Sequence, residues 1–192
     1  MALLLVCALG AGGYFYLCTP VRYISIDVNP SIEFSLNRLN RVLSAQAWNA
    51  DGEIVLQDAH VVGLLYTQAI DALLESAAME PYLIEDAALS FTIAADSEKS
   101  EALLMNGIGA CSGCRKYRGQ NYCADAALIQ EAHQAGMSFG KYRTYQALLE
   151  QEYDVSAETC RSMSMAEIRA LGGQQGDGNR KHRNRKDACP QE

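Results

Sequence analysis

Asn29-Pro30, inside the run Asp27-Val28-Asn29-Pro30-Ser31-Ile32-Glu33, joins two residue types that together can break a backbone without outside help. An Asn side-chain amide can attack its own backbone carbonyl, close a five-membered succinimide and expel the nitrogen of the next residue. Proline favours that course twice. It lacks the N–H needed for the usual deamidation route, and its ring biases the preceding residue toward extended geometry, so a fold could hold the amide against the scissile carbonyl. Asn29 is then the nucleophile through its side-chain nitrogen, and Pro30 becomes a new N-terminus. The nucleophile and the leaving group are both poor, so the fold must add alignment, strain or proton transfer. Asp27 shares Asn29's face of an extended strand at about 7 Å, which makes it the candidate to orient the amide or take its proton. Ser25, Ser31 and Glu33 are looser supporting candidates. The plain alternative is that Asn-Pro is a turn between two strands, a common use of the dipeptide.

Cysteines form the second group with chemical potential. Cys111, Cys114, Cys123 and Cys160 would allow two disulfides in an oxidising space, with three possible pairings. Cys111 and Cys114 also have zinc-ligand spacing. The eight-residue gap to Cys123 and the distant Cys160 fit no common zinc module, so disulfides are favoured over a metal, and neither metal nor cofactor is expected. His60, His133 and His182 stand in no sequence relation to a cysteine, which argues against a catalytic thiol. Without a Gly-rich phosphate loop, nucleophile elbow or zinc-protease motif, no turnover enzyme is expected; any catalysis is a single-turnover cut.

These residues need elements to position them. Ile24, Ile26 and Val28 alternate with Ser25, Asp27 and Asn29, and Ile32, Phe34 and Leu36 alternate with Ser31, Glu33 and Ser35, so two strands flank the Asn-Pro bond. Asn37 to Asn40 reads as a turn and Val42 to Trp48 as a third strand. Asn49-Ala50-Asp51-Gly52 reads as a hairpin before a strand over Glu53 to Leu56. From Gly63 to Ala77 the period is helical, Ala88 to Ala95 is a further strand, and Ser97 caps a helix ending at Gly107. After the cysteine segment three short helices are expected over 124–136, 141–153 and 156–171. The fold class is α+β: a small antiparallel sheet with helices packed on one face.

Residues 1–17 carry no charge and end in Tyr14-Phe15-Tyr16-Leu17, an aromatic cluster suited to a membrane interface. With no basic residue ahead of the run, it reads as the end of a transmembrane helix whose natural start lies upstream of Met1, rather than as a secretory signal. The expected organisation is a transmembrane segment over 1–20, an α+β domain over 21–108, a Cys-containing helical extension over 109–172 and a disordered basic tail over 173–192. A net charge of -7 argues against nucleic acid as a partner.

The run from Tyr23 to Glu33, followed by Asn37-Arg38, Arg41-Val42 and Asn49-Ala50-Asp51-Gly52, resembles the middle, extracytoplasmic domain of RsgI-like transmembrane anti-sigma factors, best over residues 22–108. Gly136 to Arg143 and Met163 to Ile168 look like a helical extension found in some relatives. The resemblance implies a single-pass protein in the cell membrane whose cytoplasmic anti-sigma domain restrains a sigma-I-type factor. It also implies an outer domain that cleaves itself at Asn29-Pro30, stays together as two pieces, and licenses an intramembrane protease when they part. No anti-sigma domain precedes the apolar run in these residues, so the protease and the sigma factor rest on the resemblance alone. The alternatives are a non-cleaving, membrane-anchored binding or structural module, and a Cys-cluster metal-binding protein.

Overall fold

A computed structural model describes residues 12–84, 87–117 and 119–173. The basic tail expected over 173–192 lies outside them apart from Gly173, as does the first part of the apolar N-terminal run. No helix among the described residues is long and apolar enough to cross a membrane. Of the expected spanning segment, residues 12–18 are described and are helical.

Alternation of apolar and polar residues forms the strands as expected at the start of the chain. β1 (Arg22–Asp27), β2 (Ser31–Leu36), β3 (Val42–Ala47), β4 (Ser90–Ala94) and β5 (Gln120–Cys123) make one sheet in the order β3-β2-β1-β4-β5. β1 is therefore central, antiparallel to β2 and β4, while β4 and β5 run parallel. The class is α+β, but the sheet is mixed rather than purely antiparallel. Its fifth strand comes from Gln120-Asn121-Tyr122-Cys123, a polar edge segment with no alternation to announce it.

The expected strand over Glu53 to Leu56 is instead part of helix α1 (Ala50–Asp58), because Asn49 turns its side-chain oxygen onto the Gly52 N–H and caps the helix. α2 (Tyr66–Leu74), α3 (Glu98–Ala110) and α4 (Ser112–Tyr117) follow. Ser97 caps α3 as its sequence predicts, yet the helix continues past Gly107 to Ala110. These helices cover the apolar face of the sheet, where Ile24, Ile26, Ile32, Phe34, Phe91 and Ile93 are fully buried with Ile70, Leu73, Leu104 and Ile108.

Helices also cover the second face, which corrects the one-sided packing expected. α5 (Ala126–Gln134) and α6 (Phe139–Glu150) lie there, with α6 against β1 and β4. Two short helices, α7 (Ala157–Ser162) and α8 (Met165–Gly173), replace the single helix expected over 156–171 and pack on α6 around Met137, Leu148, Cys160, Met165 and Ile168.

Candidate functional site

β1 and β2 are joined by Val28-Asn29-Pro30, a three-residue turn closed by a bond from the Val28 N–H to the Pro30 carbonyl at 3.2 Å. Asn29 is half-buried and Pro30 buried. The Asn29 side-chain Nδ2 donates to Asp51 Oδ2 at 2.6 Å, and the Asn29 backbone carbonyl accepts from Asn49 Nδ2 at 2.5 Å. Asp51 uses its other oxygen to accept from the Tyr82 phenol at 2.8 Å. That bond to the carboxylate holds the Tyr82 pKa above its ordinary value, so the phenol stays a donor. The first turn of α1 reaches the site because residue 52 is glycine: a Cβ there would lie 2.9 Å from the Ser31 carbonyl oxygen. From the other side, the Met165 N–H at the start of α8 donates to the Val28 carbonyl at 2.9 Å.

Asp27, expected beside the Asn29 amide, has no part in these contacts. The turn redirects Asn29 away from the strand, while Asp27 stays in register opposite Ser31 and Ser90 on the second face of the sheet. Six polar residues line that face under α5 and α6: Ser25, Asp27, Ser31, Glu33, Ser90 and Thr92, all buried. Asp27 accepts from Ser25 Oγ at 2.7 Å and from Ser138 Oγ at 2.5 Å, while Glu33 accepts from the Phe139 N–H at 2.6 Å. The other Glu33 oxygen meets His133 Nε2 at 2.8 Å. Two buried carboxylates thus receive the N-terminal end of α6, the end at which a helix presents free N–H groups and positive potential. Ser31 lies near enough to help hold down the Asp27 pKa, yet its hydroxyl makes no hydrogen bond of ordinary geometry. Ser25, Ser31, Glu33 and Asp27 therefore form a docking face for α6, and Asn29 and Pro30 meet a different set.

Burial dominates the ionisation of this face. Loss of solvent raises the Asp27 and Glu33 pKa values above 3.8 and 4.5, against the lowering effect of their hydrogen bonds. Loss of solvent also lowers that of Lys141, whose buried Nζ donates to the Met163 carbonyl at 2.7 Å. A carboxyl with a raised folded-state pKa binds its proton more tightly folded than unfolded. Its contribution to stability is then fully present below the unfolded value of about 4 and is lost as pH rises through the folded value. The urea midpoint of the wild type should accordingly fall relative to that of Asp27→Asn as pH rises from about 4 to 7. Parallel profiles for the two proteins would show that Asp27 titrates as it does in the unfolded chain.

The cysteines do not gather. Cys111 and Cys114 sit together, buried beside Leu74 and Ile108 in the main core, whereas Cys160 belongs to the separate core beneath α7 and α8. Cys111, Cys114 and Cys160 carry free thiols, while Cys123 is disulfide-bonded. The pairing expected within this set of four is corrected accordingly. Among the described residues no three His, Cys, Asp or Glu side chains come together as a metal site.

Of this cluster the sequence singles out Asn29 and Pro30 but not their hydrogen-bonding neighbours Asn49, Asp51 and Tyr82. A signal was present in Asn49-Ala50-Asp51-Gly52, whose Asn begins a helix as readily as it begins a hairpin. Comparison with known proteins places the chain in context. A family model described as the anti-sigma factor RsgI-like central domain matches residues 21–147. Anti-sigma-I factor RsgI7 of Acetivibrio thermocellus is 23% identical over 175 residues, covering 87% of this chain and 32% of the relative. Anti-sigma-I factor RsgI4 of the same organism is 31% identical over 84 residues, covering 44% of this chain and 14% of the relative. The chain thus spans a third or less of the length of these curated relatives.

Proposed function

The chain belongs to the anti-sigma factor RsgI-like central-domain family, and from that premise we propose that it is the outer, signalling part of a membrane-anchored anti-sigma factor system that cuts its own backbone between Asn29 and Pro30. The pieces, residues 1–29 and 30–192, then remain together through the sheet as a noncovalent switch. A sigma-I-type factor and an intramembrane protease are the partners this role requires, and the domain faces the outside of the cell membrane. Supporting the anchor, the uncharged run of residues 1–17 leads into a helix whose Tyr14, Phe15 and Tyr16 are more than half exposed, as interfacial aromatics are.

The observation that carries the cleavage reading is the state of the Asn29–Pro30 link. It lies in a tight turn with its carbonyl oxygen and the neighbouring side-chain amide each engaged by a separate, half-buried polar group. Such fixing removes much of the entropy cost that makes asparagine cyclisation slow in a free chain. Purified wild-type protein should resolve on a denaturing gel into two pieces without added protease, the larger beginning at Pro30, and Asn29→Ala should give a single band near 21.0 kDa. Wild-type protein that stays intact through prolonged incubation returns the turn to a purely structural role.

A further inference from the structure

We infer that Asp51 is the proton acceptor, and Asn49 the oxyanion-stabilising donor, of the Asn29–Pro30 cleavage, an inference that rests on the self-cleavage reading above. Both residues touch reacting atoms. Asp51 Oδ2 lies 2.6 Å from the attacking nitrogen, and Asn49 Nδ2 lies 2.5 Å from the scissile carbonyl oxygen.

The orientation of each amide is fixed by its other partners. Asn49 Oδ1 accepts from the Ser31 N–H at 3.1 Å and from the Gly52 N–H at 2.9 Å. Two donors demand an oxygen there, which leaves the Asn49 nitrogen facing the Asn29 carbonyl. A carboxylate offers only acceptors, so the Asn29 group that meets Asp51 must be the nitrogen. Helix capping accounts for the Asn49 oxygen and not for its nitrogen. The Tyr82 phenol holds the second Asp51 oxygen and acts as a positioning residue, since it touches no reacting atom.

The step balances within the chain. As the Asn29 Nδ2 lone pair forms its bond to the Asn29 carbonyl carbon, Asp51 takes one of the two protons on that nitrogen. The carbonyl π electrons move onto the oxygen, where Asn49 Nδ2–H stabilises the charge. Collapse of the tetrahedral intermediate restores the carbonyl and breaks its bond to the Pro30 nitrogen, which receives the proton held by Asp51. One N–H is consumed and one is formed, giving a C-terminal succinimide on Asn29 and a secondary amine on Pro30. Neither water nor a redox partner enters before the succinimide is hydrolysed.

The test follows full-length chains made by pulse-labelled cell-free translation in the presence of lipid nanodiscs, so that cleavage is timed from synthesis. Asp51→Asn keeps the shape and the contact to Tyr82 and loses the basicity; cleavage should slow by about 100-fold or more. Asn49→Asp keeps the cap on Gly52 and loses the donor to the carbonyl; slowing of about 100-fold is expected. The uncut Asp51→Asn chain should keep the wild-type far-ultraviolet circular dichroism spectrum, so that the slowing is read on a folded protein. Asp51→Asn cleaving at the wild-type rate overturns the inference while self-cleavage stands. Intact wild type overturns both.

Discussion

Gly140→Ala should destabilise the domain by about 3 kcal/mol, where the same change in an open helix would stabilise by up to about 1 kcal/mol. Gly140 lies in the first turn of α6, pressed onto the polar face of the sheet. A Cβ there would lie 2.3 Å from Asp27 Oδ2, 2.8 Å from Thr92 Oγ1 and 3.0 Å from Ser25 Oγ. None of these atoms can give way easily, because all three side chains are buried and Asp27 is held by Ser25 and Ser138. The helix must lift instead, stretching the Ser138–Asp27 and Phe139–Glu33 bonds, and bonds to charged groups contribute about 1.5–3 kcal/mol each. At this chain length a loss of 3 kcal/mol lowers the melting temperature by about 6–12 °C. Gly109 in α3 is the control, since a Cβ there meets nothing within 4 Å. Gly109→Ala should hold or raise the urea midpoint while Gly140→Ala lowers it. A Gly140→Ala protein as stable as the wild type would mean that α6 does not rest on Asp27.

That docking face also shows where the sequence was legible and where it was not. Ile24, Ile26, Ile32 and Phe34 mark two strands and their shared apolar face by alternation alone, and the structure has both in that phase. The intervening Ser25, Asp27, Ser31 and Glu33 look by the same rule like a solvent face. Alternation separates two faces without saying what covers the second one, and the cover arrives from residues 138–141, more than a hundred positions away. The nearest hint was local: Ser138 caps its helix through the Lys141 N–H, but nothing in that segment names its acceptor on the sheet. Strand geometry puts Asp27 and Asn29 on one face only while the strand continues, and β1 ends at Asp27. Asp51 was hidden because Asn-x-Asp-Gly suits a hairpin and a helix start equally well. Its role depends on a helix end being brought to the turn by the pairing of β2 with β3, a long-range fact.

The two pieces left by a cut at Asn29 should co-elute in ordinary buffer and separate only in denaturant, and Ile26→Ala should weaken their association by roughly 30- to 4,000-fold. The cut leaves β1 in the smaller piece, and β1 is the central strand, bonded to β2 on one side and β4 on the other. Withdrawing it would break both ladders and expose Ile24, Ile26 and Val28, which are at most 5% exposed and are worth about 1.5–3 kcal/mol each when fully buried. It would also strip Asp27 of Ser138, and the Val28 carbonyl of the Met165 N–H. An Ile-to-Ala change in such a core costs about 2–5 kcal/mol, which converts to the stated range at tenfold per 1.4 kcal/mol. The measurement is retention of the larger piece on resin carrying a tagged N-terminal piece, followed after dilution. Release of wild-type pieces without denaturant would contradict a stored switch.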